Sequence, residues 1–199
     1  MTARRAAVFC DRDGTLVEEV PYLHEPDRVA LLPGVAAGLR ALDRAGFALV
    51  VVTNQAGVAR GYYDEAAVEL VHRRLGELLA GAGVRLDAIL YCPHHPEGTV
   101  ARHARACRCR KPAPGMLEAA AEQLDLDLPA SYLIGNHPTD VGAAVAAGVT
   151  ALYVRTGHAA GRPPPPGVAA FPGIEAAARA VLDAALPRTH TRRPGPLRP

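Results

Sequence analysis

AAVFCDRDGT, residues 6–15, changes character halfway along. Its first five residues form an unbroken apolar run, which reads as a buried strand. Two carboxylates separated by one residue follow, then a glycine that permits a sharp turn. The same succession recurs down the chain. FALVVV (47–52) runs into TNQAG, DAILYC (87–92) into a long polar loop, and SYLIG (131–135) into GNHPTD, with one more strand at ALYV (151–154). Helical spacing fills the intervals: PGVAAGLRALDRAG (33–46), residues 64–80, PGMLEAAAEQL (114–124), TDVGAAVAAG (139–148) and about 173–185. GRPPPPG (161–167) reads as a rigid surface loop. Strands alternating with helices predict an α/β fold, doubly wound, with a mainly parallel sheet and helices on both faces. Such sheets bind ligands beyond the carboxyl ends of their strands, so the residues after each strand are the candidates for chemistry.

The chain has 199 residues, 49% of them hydrophobic, enough for one domain with a full core, placed at residues 1–186. No apolar run is long enough to cross a bilayer, and the N-terminus leads straight into a strand. No signal peptide, no membrane partner and a cytoplasmic location are therefore expected. Four cysteines without a secretion signal speak against a disulfide scaffold. The net charge is +2, but four of the 22 basic residues (Arg188, Arg192, Arg193 and Arg198) lie in a Pro-rich tail, 187–199, expected to be disordered. The body then carries 18 basic residues against 20 acidic ones, which disfavours a nucleic-acid partner. A monomer is expected. Only one of the 22 basic residues, Lys111, is a lysine. Chance is one reading; the other is a position that needs a compact ammonium instead of a planar fork.

Asp11 and Asp13 can face one site if the chain turns at Gly14. One carboxylate can attack as a nucleophile while the other handles protons, and together they offer hard oxygens suited to Mg²⁺. A solvated turn is the plainer alternative. Thr53, Asn54, Gln55 and Ala56 supply a hydroxyl, amides and free backbone N–H groups that can hold a phosphoryl group, or merely end a strand. Asn136, His137 and Asp140 reach the same edge, with Asp140 either capping a helix or supporting catalysis. Tyr22 and His24 lie on a loop that either covers the site or forms a surface turn. Cys10 reads as a buried strand cysteine, and His72, His158 and His190 as surface residues.

CPHHPEGTVARHARACRCRKP, residues 92–112, collects three of the four cysteines and three of the eight histidines. Cys92-x-His94 and Cys107-x-Cys109 form two ligand pairs, and three thiolates with one imidazole make a closed tetrahedral zinc site. His95 and His103 compete for the fourth place, but His94 has the symmetric spacing. A redox centre would favour CxxC, which is absent. Arg110 and Lys111 follow at once, so a zinc-pinned loop would carry two cations to the strand ends. Structural reduced cysteines remain the alternative.

Together DRDGT, TNQ, RKP and, less closely, GNHPTD resemble the four motifs of the haloacid dehalogenase (HAD) phosphatase superfamily. VVVTNQAGVARGYY, YCPHHPEG, CRCRKPAPGML and VRTG narrow the resemblance to the D-glycero-D-manno-heptose 1,7-bisphosphate 7-phosphatase family, with histidinol-phosphatase as a close relative. The resemblance implies a Rossmann-like HAD fold with a minimal cap. It makes Asp11 the nucleophile that forms an aspartyl-phosphate and Asp13 the acid and base. Thr53 and Lys111 would hold the phosphoryl group and Arg110 would bind substrate. Glu19, Val20, Pro21, Tyr22, Asn54, Gln55, Ala56 and His137 would contact a sugar phosphate. Asp11, the Asp13 carbonyl and Asn136 would hold Mg²⁺, and Cys92, His94, Cys107 and Cys109 a structural Zn²⁺. Position 136 is normally aspartate in this family and position 137 normally lysine. Three other readings stand beside this one: histidinol-phosphatase, a phosphate-ligand-binding protein with weakened turnover, and a DNA-end phosphatase, which the acidic body and the zinc loop disfavour.

Overall fold

The computed structural model describes residues 4–185. The tail expectation (187–199) and His190 lie outside these residues. Six strands, β1 (Ala7–Cys10), β2 (Ala48–Asn54), β3 (Ala88–Cys92), β4 (Tyr132–Gly135), β5 (Thr150–Val154) and β6 (Ala169–Phe171), form one sheet in the order β3-β2-β1-β4-β5-β6. Every neighbouring pair is parallel. Among the described residues five helices lie between the strands, α1 (Val35–Arg44), α2 (Ala56–Ala59), α3 (Glu65–Gly81), α4 (Gly115–Leu124) and α5 (Pro138–Ala147), and α6 (Ile174–Ala185) follows β6.

Alternation along the strands divides the core into two layers. Val8, Cys10, Leu49, Val51 and Ile134 pack with Val35 and Leu39 of α1, Val71 and Leu75 of α3, and Val181 of α6. Ala7, Phe9, Val50, Val52 and Leu133 point the other way, onto Met116 and Leu117 of α4 and Ala143 and Ala144 of α5. Both faces of the sheet are thus covered, which is why the strand sequences are continuously apolar.

The order reverses on either side of β1. β2 lies on one flank and β4 on the other, paired through Cys10↔Val51 and Cys10↔Ile134. The crevice that ligands use in such sheets therefore opens directly above Asp11. The segment after β1 leaves as a short excursion. Isolated bridges tie Asp13 to Val17 and Val17 to Leu31, and Leu16 and Val17 are buried, so this cap is a loop folded onto the body.

Three features depart from the sequence expectation. β6 and the one-turn helix α2 are additions too short for periodicity to register. His72, expected at the surface, is buried, with 8% of its surface exposed. It sits on α3 on the apolar stripe formed by Val68, Val71, Leu75 and Leu79, against the Tyr91 ring, and helical spacing carries it inward with its neighbours.

Candidate active site and metal clip

Asp11 leaves β1 with its backbone N–H donating to the Ile134 carbonyl at 2.9 Å, so the β1–β4 ladder fixes the first carboxylate. Lys111 reaches it from the far end of the polar loop. Its Nζ donates to Asp11 Oδ1 at 2.6 Å and to the Val52 carbonyl at 2.8 Å, and pairs with Asp140 Oδ1 at 2.6 Å. All three side chains are almost fully buried. Burial alone would discharge the ammonium, but Asp11 and Asp140 outweigh it and hold the lysine above its usual pKa. Burial likewise raises Asp11 above the usual carboxylate range, Lys111 opposes this, and Asp140 and Asp13 add to it.

The turn carrying Lys111 is braced by β2. Asn54 Oδ1 accepts from the Lys111 N–H at 3.0 Å, and its Nδ2 donates to the Lys111 carbonyl at 3.0 Å. Asp140 has two tasks. Besides pairing with Lys111, its Oδ2 accepts the His137 N–H at 3.0 Å, closing a capping box at the start of α5. Asp140 thus caps α5 and pairs with Lys111 at once.

Asp13 is held from two sides. Arg12 donates to it through Nε (3.1 Å) and Nη2 (3.0 Å), and Gln55 Nε2 donates to Oδ2 at 2.9 Å and to Thr53 Oγ1 at 2.9 Å. Arg12 is 1% exposed, and the ion pair explains how a guanidinium survives there. Sequence reasoning passed over Arg12, although an arginine between two aspartates beyond a buried strand was a signal. Tyr63, whose hydroxyl donates to Gln55 Oε1 at 2.8 Å, gave none.

Asn136 is buried at the end of β4. Its Oδ1 accepts from Thr15 Oγ1 at 3.4 Å and its Nδ2 donates to the Thr156 carbonyl at 3.1 Å. Gly14, at φ +71°, lies against it: a Cβ there would stand 2.2 Å from Asn136 Nδ2 and 2.9 Å from Glu19 Oε2. Only glycine meets both the backbone and the space.

These groups share two connected hollows. A small one is lined by Asp11, Asp13, Glu19, Thr53, Asn54, Arg110, Lys111, Asn136, His137 and Asp140. It opens beside a cleft of about 860 Å³ lined by Asp13, Glu19, Val20, Pro21, Tyr22, Asn54, Gln55, Ala56 and Tyr63. Every residue named from the sequence for catalysis or substrate thus borders one site. His158 is exposed, as expected, yet its ring lies tilted beside that of His137, centroids 5.4 Å apart, and borders both hollows. The Asp11 carboxylate, the Asp13 carbonyl and the Asn136 amide oxygen are hard oxygen donors, the type that Mg²⁺ takes.

The polar loop builds its own cluster. One ligand atom each from Cys92, His94, Cys107 and Cys109 lie within 4.8 Å of one another. The sulfurs are 3.2 to 3.4 Å apart, and His94 Nδ1 is 3.3 Å from Cys109 Sγ. A tetrahedral ion with metal–sulfur bonds of about 2.3 Å needs its ligands nearly this close, so the set fits Zn²⁺. His95 and His103 stay out of the cluster. Arg110 Nη1 donates to the His94 carbonyl at 3.2 Å, which joins the clip to the basic rim of the pocket.

A HAD-hydrolase-like family model matches residues 108–165. The sequence is 49% identical, over 152 residues, to the D-glycero-β-D-manno-heptose-1,7-bisphosphate 7-phosphatase of Escherichia coli strain K12, covering 76% of this chain and 80% of that protein. It is 42% identical over 146 residues to the protein of the same name from Rhodopseudomonas palustris, covering 73% and 81%. The crystal structure of D,D-heptose 1,7-bisphosphate phosphatase from B. bronchiseptica, complexed with magnesium and phosphate, superimposes with a TM-score of 0.79 at 32% identity, covering 90% of this chain and 99% of that one. With its parallel sheet, its paired aspartates above the switch point and this degree of identity, the chain belongs to the heptose-bisphosphate phosphatase family of HAD-like hydrolases.

Proposed function

We propose that the protein removes the 7-phosphate of D-glycero-D-manno-heptose 1,7-bisphosphate, leaving the heptose 1-phosphate. The observation that carries this is the junction of two spaces: a small hollow holding Asp11 and Lys111, opening on a cleft wide enough for a phosphosugar. The Asp11 carboxylate attacks phosphorus while Asp13 gives its proton to the departing alkoxide, forming an aspartyl-phosphate. Asp13 then takes a proton from water, the resulting hydroxide displaces Asp11 from phosphorus, and inorganic phosphate leaves. Lys111 and Thr53 steady the transferring group, and Arg110 at the rim takes the substrate's charge. Glu19 to Tyr22, Gln55, Ala56 and His137 face the sugar side.

Mg²⁺ would be held by Asp11, the Asp13 carbonyl and Asn136, and when bound it neutralises charge on the phosphoryl oxygens. Zn²⁺ on Cys92, His94, Cys107 and Cys109 would be structural, pinning the loop that carries Arg110 and Lys111. The decisive assay is phosphate release, with added Mg²⁺, from heptose 1,7-bisphosphate and from histidinol phosphate. A kcat/KM at least about tenfold higher on the heptose ester is expected, the advantage of roughly 1.4 kcal/mol that a few sugar contacts supply. A preference for histidinol phosphate would reassign the substrate. Tight phosphate binding without turnover of either would make Asn136 the mark of a binding protein.

A further inference from the structure

We infer that Tyr63 is a positioning residue for this reaction, acting through Gln55 on the Asp13 carboxylate. The inference rests on the proposed role of Asp13 as acid and base, and on a chain of bonds that assigns every polar atom of the intervening amide. Gln55 is 3% exposed. Its Nε2 has two hydrogens, directed at Asp13 Oδ2 and Thr53 Oγ1, both at 2.9 Å. Its Oε1 accepts the Tyr63 hydroxyl at 2.8 Å.

Asp13 Oδ2 accepts from the amide, as either oxygen of the carboxylate does and as the carbonyl oxygen of the protonated acid does, so the amide meets Asp13 correctly in one of its two orientations. Rotated by half a turn, Oε1 would face Asp13 and the two acceptors would repel. A proton donor at the opposite end holds the working orientation, and the Tyr63 hydroxyl is that donor. Burial keeps it protonated, its pKa pushed up to about 12.

The surroundings indicate that the ring is aimed. Tyr63 stands in the connection between α2 and α3 and packs face to face on His24, centroids 5.3 Å apart. On its other side is Gly57, where a Cβ would fall 2.2 to 2.6 Å from the ring and hydroxyl atoms of Tyr63. The ring therefore reaches Gln55 only across a glycine. Gln55 Oε1 is the only side-chain partner of the hydroxyl among the described residues, the Gly57 backbone being its other polar neighbour, and a phenyl ring would fill the same space.

The test compares two leaving groups. A sugar alkoxide must be protonated as it departs, whereas p-nitrophenolate leaves as a stable anion, so a fault in aiming Asp13 separates the two esters. In Tyr63→Phe, kcat on the heptose bisphosphate should fall about three- to tenfold with KM within about twofold of wild type. That is a fraction of the roughly 10²- to 10⁴-fold a positioned proton donor supplies. First-turnover release of p-nitrophenolate should stay within about twofold of wild type. Gly57→Ala, which keeps the hydroxyl but displaces the ring, should give the same selective loss, with melting curves confirming that both variants fold. A Tyr63→Phe enzyme with wild-type kcat on the sugar ester, or with equal losses on both esters, overturns the inference. If the wild-type protein hydrolyses neither ester with Mg²⁺ present, the phosphatase reading falls first and takes the role of Asp13 with it.

Discussion

The cysteine loop and the pocket at the strand ends both crowd groups that would repel or strand one another in isolation, and they relieve the crowding differently. In the loop, three sulfurs and one imidazole nitrogen converge from residues close in sequence, with no cation of the protein's own among them. In the pocket, the carboxylates of Asp11 and Asp140 converge from β1 and α5, and the protein supplies the countercharge itself as buried Lys111. A cluster that depends on an added ion behaves as a clip, closed or open according to metal supply. A cluster already half neutralised can hold a carboxylate poised for attack and still leave room for a hard cation. The two meet at residues 109 to 111, where the last thiol is followed directly by Arg110 and Lys111.

The sharpest way to separate the two regions is Asp11→Asn. It should lower kcat by at least about 10³-fold, because an amide cannot attack phosphorus, while metal content of the loop and the melting temperature stay near wild type. An enzyme retaining near wild-type kcat would end the covalent mechanism. Cutting the other region should damage both. Cys109→Ser is expected to drop zinc, measured by elemental analysis, from about one equivalent to well below half. It should also lower the melting temperature by several degrees and reduce kcat/KM about tenfold or more as Arg110 and Lys111 lose their anchor. Loss of zinc with unchanged kinetics would show that the loop does not position the cations.

A subtler probe adjusts the pocket's charge. Asp140 pairs with Lys111 and caps the N-terminus of α5, so the charge missing at position 136 is best tested at position 136 itself. Asn136→Asp should lower the Mg²⁺ concentration for half-maximal activity by about three- to tenfold, since a hard cation prefers a carboxylate. Coincident titration curves would remove position 136 from the metal site.

The effect furthest from both regions concerns His72, which belongs to neither. Burial holds its pKa down at about 3 against an ordinary 6.5, with Arg12 adding to the fall. The unfolded chain takes up the proton first. The contribution is therefore flat above pH 6.5 and is lost as pH falls from there toward 3, by at most about 1.4 kcal/mol per pH unit. His72→Leu should melt with a shallower acid dependence between pH 7 and pH 5. Parallel melting curves would mean that His72 is free to protonate where it stands.

Much of this was legible in residue order because it depends on neighbours close in the chain. Strands buried on both faces are continuous apolar runs, so five of the six declared themselves; β6, three residues long, could not. The cysteine clip was legible for a similar reason: its two pairs are one residue apart internally, and their types restrict the chemistry. Asp11, Asp13, Thr53 and Lys111 stood out because each follows a strand or breaks the composition.

Local period and spacing set the alternating α/β order, the edge of the sheet where the pocket opens, and the ligand types of the loop. Tertiary structure alone decided who faces whom. It buried His72, paired Lys111 with two carboxylates at once, closed Arg12 on Asp13, and brought Tyr63 to Gln55 across the bare face of Gly57. Those choices depend on strands separated by tens of residues lying side by side in register. Contacts of that kind exist only once the hydrophobic layers have packed and fixed the distances between strand ends.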